Sequence, residues 1–209
     1  MKKLIYLFLT VFIVSCSTKK DAFLNRNYNA LTTQYNILYN GGVAFNEGLQ
    51  EINVSYEDDF FELLPIEPLT FKNKKFRLPK LSSSSNKPGK GFQESPEQEE
   101  SLTPFDIAEQ KAVKAIQKHS MNIYGKERNK KIDDAYLLLG KSRYYTERFI
   151  PAIDAYNYII ANYPNASLLN ETKIWRAKAH IRLENQELAI ETLEILLRKP
   201  DLSDLIREE

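Results

Sequence analysis

Apolar residues recur at three- and four-residue intervals along most of this chain, and the places where that rhythm stops divide it. After Ala22, the residues Leu24, Tyr28, Leu31, Tyr35 and Leu38 fall along one stripe, as in an amphipathic helix. Asn40-Gly41-Gly42 interrupts them, and Val43, Ala44, Phe45, Leu49 and Ile52 resume a second stripe to about Val54. The pattern predicts a helical hairpin with a short glycine turn. Asp58 to Pro68 keeps its apolar content but carries Pro65 and Pro68, and reads as an extended segment lying across a neighbouring surface.

Charge then replaces hydrophobicity. Phe71 to Lys90 contains seven basic residues and no acid, and Glu94 to Glu100 four acids and no base. Such blocks, mixed with Ser, Pro and Gly, do not bury enough surface to order themselves. Residues 72–102 are therefore expected to form a long disordered loop, a solvated linker whose basic block has contact with anionic lipid or a partner as its alternative. Helical spacing returns at Thr103-Pro104, with Thr103 as cap and Pro104 in the first turn. Ile107, Ala108, Ala112, Ala115 and Ile116 give that helix a face of mostly small residues, suited to close packing against the helix that begins near Ile132. Asn122 to Lys131, containing Gly125, is a polar connection.

From Asp133 to Pro164 the spacing Tyr136-x2-Leu139-Gly140, then Ala152-x3-Tyr156, then Pro164 matches the tetratricopeptide pattern. Small residues at Gly140 and Ala152 let two antiparallel helices approach while Tyr136, Leu139 and Tyr156 fill the space around them. Pro164 ends the second helix because it disfavours helical geometry at Tyr163. Arg143 departs from the pattern, standing where an aromatic is usual, with Tyr144 beside it. Ala177 and Ala189 are the counterparts of Gly140 and Ala152, a shift of 37 residues, so about three residues are added in the turns relative to the consensus period. Leu188, Leu193, Leu196 and Leu197 continue the stripe to Pro200. The expected fold is all-α, with tetratricopeptide-like helical hairpins in a right-handed solenoid. No polar capping helix closes the array, so the chain is expected to be the N-terminal part of a longer protein.

The first residues read as a signal peptide: Lys2 and Lys3, an apolar run from Leu4 to Val14, then Ser15-Cys16. The run is too short for a stable span. Ile13-Val14-Ser15-Cys16 resembles a bacterial lipobox, which implies cleavage after Ser15 and lipidation of Cys16. Acyl chains there would attach the protein to a membrane without a transmembrane helix. Cys16 is the only cysteine, so no internal disulfide is available. Ser17 in place of Asp resembles the sorting signal of outer-membrane lipoproteins, and a single acid, Asp21, after Ser17-Thr18-Lys19-Lys20 points to the periplasmic face. The expected organisation is signal peptide 1–15, lipidated N-terminus and first hairpin 16–64, extended segment and linker 65–103, and repeats 104–209.

Chemistry is sparse in the remainder. A net charge of +1, with 43% hydrophobic and 27% charged residues, is a globular balance that argues against a nucleic-acid surface. His119 and His180 have no carboxylate or Cys at metal-ligand spacing, and no nucleophile or phosphate-loop motif occurs, so no catalytic residue, metal, cofactor or small-molecule substrate is assigned. Asp58-Asp59 and Asp133-Asp134 read as helix-start acids. His180 and Trp175 read as repeat core.

Two further strings, Tyr35-Asn36-Ile37-Leu38-Tyr39-Asn40-Gly41 and Lys114-Ala115-Ile116-Gln117-Lys118-His119-Ser120-Met121, taken with the lipobox and Ile132 to Pro164, resemble the N-terminal region of the SprE/PorW lipoproteins. These are tetratricopeptide components of the type IX secretion and gliding motility machinery of Bacteroidota. The resemblance runs from the signal peptide to Glu209, the charged linker excepted. It implies an outer-membrane scaffold facing the periplasm, partnered by other type IX components through protein–protein contacts, and it supplies no catalytic residue. A SusD-like glycan-binding lipoprotein and an outer-membrane assembly lipoprotein are the alternatives. The first needs aromatics exposed on loops, whereas nearly all aromatics here fall on helical stripes.

Overall fold

The computed structural model describes residues 21–61, 63–69, 102–200 and 202–208. The signal peptide, Cys16 and nearly all of the 72–102 linker lie outside the described residues. Among those described the fold is all-α apart from one two-stranded ribbon. The first helix, α1 (Phe23–Thr32), runs without a break through a π-helical stretch (Thr33–Leu38) into α2 (Tyr39–Ser55). Then come α3 (Pro104–His119), β1 (Asn122–Ile123), β2 (Lys126–Glu127), α4 (Ile132–Tyr145), α5 (Phe149–Asn162), α6 (Leu169–Arg182), α7 (Gln186–Leu197) and α8 (Asp204–Glu208). From α2 to α7 each helix packs on its successor.

The hairpin expected at Asn40-Gly41-Gly42 does not form. Both glycines are helical, and Gly41 is a contact point: a Cβ on it would come 2.7 Å from Leu138 Cδ2 and 3.1 Å from Lys111 Cβ. Gly48 serves α3 in the same way, lying against the ring of Phe105, whose nearest atom would be 2.7 Å from an added Cβ. The glycines thus let the long helix approach α3 and α4 instead of turning the chain.

Only the N-terminal part of the expected apolar stripes faces away from the core; Leu38 of the first stripe and Ala44, Phe45, Leu49 and Ile52 of the second pack into it. Leu24, Tyr28, Leu31, Tyr35 and Tyr39 are 56–78% exposed, while the buried line is Asn29, Thr33, Ile37, Gly41, Phe45, Gly48 and Ile52. Three successive steps of four residues, 29 to 41, drift about 40° each on a regular α-helix. The wider π-helical turn takes up that drift and keeps the four residues on one face. Thr33 anchors it, with Oγ1 donating to the carbonyl of Asn29 at 2.7 Å and accepting from Asn129 Nδ2 at 3.0 Å.

Helix α3 starts as its sequence predicts. Thr103 Oγ1 accepts from the Asp106 amide, and the Asp106 carboxylate accepts in return from the Thr103 amide, forming a capping box. Its Ala108, Ala112 and Ala115 are wholly buried. The polar connection after it is a tight hairpin in which Tyr124 and Gly125 both have positive φ, at 53° and 75°, the geometry of a two-residue turn. Glu127 organises its base, accepting from Ser120 Oγ, the Met121 amide and the Asn129 amide at 2.6–2.8 Å.

The main core gathers residues from the long helix, α3, α4, α5 and α6. Its spine is aromatic. Phe45 meets Phe105 edge-on at 5.4 Å, Phe105 stacks on Tyr145 at 4.9 Å, and Tyr144 meets Trp175 edge-on at 5.4 Å. A separate cluster of Ile174, Leu196 and Leu202, with Leu193 and Ile206 against it, covers the far end.

Candidate functional site

Helices α4 and α6 present two neighbouring stripes. On α4 the stripe is Leu137, Lys141 and Tyr144; on α6 it is Glu171, Trp175, Lys178 and Arg182, each at helical three- or four-residue spacing. The Tyr144 ring is wholly buried between Trp175, Tyr145 and Phe149. Lys178 and Lys141 lie over the Trp175 ring, at 4.6 and 4.9 Å from its centre, a cation–π arrangement on the single tryptophan. Lys141 is also paired with Glu171.

The irregular segment 63–69, which bends at Ile66 and Glu67, reaches this face. Only Glu67, Pro68 and Leu69 of that segment are half-buried. Glu67 Oε1 is 2.8 Å from Lys178 Nζ, both side chains being about 15% exposed, at 16% and 15%. Glu67 Oε2 accepts from the Tyr144 hydroxyl at 2.6 Å. Arg182 completes the site, donating from Nη2 to the Glu67 carbonyl at 2.6 Å and from Nε to the Tyr144 oxygen at 3.0 Å. One carboxylate and its own carbonyl thus engage an ammonium, a phenol and a guanidinium. Burial, with Glu67 adding to it, pushes the Tyr144 phenol well above its usual range, so it remains a proton donor at neutral pH. Leu69 packs against the main core beside this cluster.

The residues of the tetratricopeptide-like spacing occupy the interior behind this face, Pro164 excepted. Ala152, Tyr156, Ala177 and Ala189 are wholly buried, and Leu139 is 5% exposed. Gly140 lies under the Tyr156 ring. Tyr136 stacks on Tyr158 at 4.1 Å and is pushed up to about 12 by burial and by Tyr158. Pro164 follows α5 and is exposed. Arg143, the departure from the pattern, ties α4 to its neighbours: its Nε is 2.9 Å from Glu109 Oε1, its Nη1 donates to the Pro151 carbonyl at 3.1 Å, and Arg148 joins it on Glu109.

The two strings singled out in the sequence meet. Ile37 and Leu38 of the first pack with Ala115 and Ile116 of the second and with Ala135. His119 Nδ1 and Asn29 Oδ1 are 3.1 Å apart, so the ring proton sits on Nδ1 if the amide oxygen is the acceptor. Next to them the π-helical turn forms one wall of a cleft of about 360 Å³, with Gln34, Tyr35 and Tyr39 facing Lys131, Asp134 and Leu138. His180 lies on α6, far along the chain from any such pair, and its Nδ1 is buried without a hydrogen-bond partner among the described residues. Asp133 caps the amide of Asp134 at 3.0 Å, and Asp59 that of Phe61 at 2.9 Å. Among the described residues no group of three or more His, Cys, Asp or Glu is placed to hold a metal, and no helix is long and apolar enough to cross a membrane.

No protein-family model matches the chain, and no curated protein matches it. Glu67 was not singled out by its sequence, because its partners stand 77 residues away at Tyr144 and 115 away at Arg182. The only available signal was the pair of prolines flanking an acid within an apolar segment.

Proposed function

We propose that this protein is a lipid-anchored outer-membrane scaffold of the type IX secretion and gliding machinery, facing the periplasm and working through protein–protein contacts made by tetratricopeptide-like repeats. The observation that carries the reading is the face of α4 and α6, which holds the irregular segment 63–69 through Glu67, Tyr144, Lys178 and Arg182. A surface that grips irregular chain suits a scaffold.

The repeat assignment is supported by two turns with one geometry. After α4, Glu147 has φ 59° and the Arg148 amide donates to the Arg143 carbonyl; after α6, Glu184 has φ 62° and the Asn185 amide donates to the His180 carbonyl. These positions differ by the same 37 residues that relate Gly140 to Ala177. The family assignment draws on the SprE/PorW-like strings, whose contact at Ile37 and Ala115 gives both a shared structural role. Cys16 supplies the anchor in this reading, and no catalytic residue or cofactor is assigned.

Affinity purification of the full-length lipoprotein from its native envelope tests the proposal. Recovery of type IX ring or motor components is the expected result. Recovery of a TonB-dependent transporter with bound glycan would overturn it in favour of a SusD-like role.

A further inference from the structure

The segment that fills the α4–α6 face is weakly built for permanent packing. Leu63 is 98% exposed, and Leu64 and Ile66 are 45% and 52% exposed. The contacts with the helices are concentrated in the Glu67 carboxylate, the Glu67 carbonyl and Leu69. The receiving groups are of the opposite kind. Tyr144 and Trp175 belong to the core, and Lys141, Lys178 and Arg182 stand on regular helices. A rigid basic and aromatic surface is thus occupied by an irregular acidic strap.

We infer that this face is a docking site for a short acidic segment of a partner protein, and that residues 63–69 occupy it in the partner's absence. The incoming segment presents an Asp or Glu to Lys178 and Tyr144, a backbone carbonyl to Arg182, and an apolar side chain two residues later in the place of Leu69. Charge complementarity selects the acid, since the Glu67 carboxylate meets an ammonium and a phenol while its carbonyl meets a guanidinium. A tethered strap competes at an effective concentration on the order of millimolar, so only a segment that binds more tightly, or one reinforced by a second contact, displaces it. The inference rests on the scaffold reading only in taking the protein's work to be polypeptide recognition.

The probe is a synthetic peptide with the sequence of residues 63–69, acetylated and amidated so that its one carboxylate is that of Glu67. It is titrated into the full chain and into a variant lacking 63–69, with the fluorescence of Trp175, the single tryptophan, as readout. The deletion variant is expected to show a saturable change. The intact chain, and a peptide carrying Glu67→Gln against the deletion variant, are each expected to bind at least about ten-fold more weakly, a ratio corresponding to about 1.4 kcal/mol. A deletion variant with unchanged circular dichroism that gives no saturable change would overturn the inference, as would equal binding of the Gln peptide. Should the deletion fail to fold, the full chain carrying Glu67→Gln takes its place, and binding no tighter than wild type counts against the site. A dimer of the intact chain that dissociates on adding the peptide would make a second copy the occupant and remove the partner. Peptide binding without type IX components in the envelope purification keeps the groove and removes the scaffold assignment; the converse removes the groove alone.

Discussion

Gly140 lies directly beneath the ring of Tyr156, so close that a Cβ at this position would overlap Cε1 of the tyrosine. Tyr156 is wholly buried and cannot swing away. Gly140→Ala is therefore expected to destabilise the protein by about 1–3 kcal/mol through overpacking, although alanine is the better helix former by about 1 kcal/mol. Urea denaturation measures it, and an unchanged midpoint would count against the packing of α4 on α5.

The adjacent pair Gly41 and Gly42 separates a continuous helix from a turn. An added Cβ meets nothing within 4 Å at Gly42, but meets Leu138 and Lys111 at Gly41. Gly42→Ala should raise stability by about 0.5–1 kcal/mol, the ordinary gain of alanine over glycine inside a helix. Gly48→Ala, which presses on the Phe105 ring, should lower it. Melting temperatures of the two variants moving in opposite directions is the expected pattern; loss of stability at Gly42 would favour a glycine turn.

Glu147 and Glu184 are exposed and have left-handed backbone conformations at φ 59° and 62°. That conformation costs a side-chain-bearing residue about 1–2 kcal/mol, which glycine escapes for want of a Cβ, less the greater entropy it loses on folding. Glu147→Gly and Glu184→Gly are each expected to stabilise by about 0.5–1 kcal/mol. Because the backbone hydrogen bonds of each turn close within it and share no partner, the double variant should show the sum.

His119 and His180 are both held below the ordinary imidazole value of 6.5, His119 by burial and then by Lys114 and Lys118, His180 by burial and then by Arg176. Between the lowered folded values and 6.5 the unfolded chain binds more protons than the folded one, so stability falls as pH drops through that window. His119→Gln, whose amide can still donate to Asn29, combined with His180→Gln, should reduce the loss of melting temperature between neutral pH and pH 5. An unchanged pH slope would show that neither histidine contributes to it.

Much of the helical framework was legible because its determinants are local. The Thr103-Pro104 start closes through a residue three positions on, Asp106. The connection 122–131 was visible as polar, but its strand pairing was hidden because only two residue pairs form and the turn uses Tyr124 at positive φ, a position that side chains rarely take. Arg143 looked like a defect in a repeat pattern until Glu109, on another helix, explained it.

The chain's own pattern determined that Ala22 to Val54 is helical, though not that it is one unbroken helix, and that small residues at Gly140, Ala152, Ala177 and Ala189 mark close helix contacts. Each of these follows from periodicity or from a residue's conformational limits over a few positions. Only the tertiary structure decided which face of the long helix is buried. The stripe of Leu24, Tyr28, Leu31 and Tyr35 points outward, while the face that α3 and α4 approach carries Ile37, Phe45 and Ile52 with Gly41, Gly48 and a Thr33 bonded to Asn129 at the close contacts. It also decided where Glu67 lands. Its side chain is only 16% exposed and its carboxylate is paired there with Lys178 and Tyr144, partners that sequence-local patterns cannot reach because folding alone brings them together.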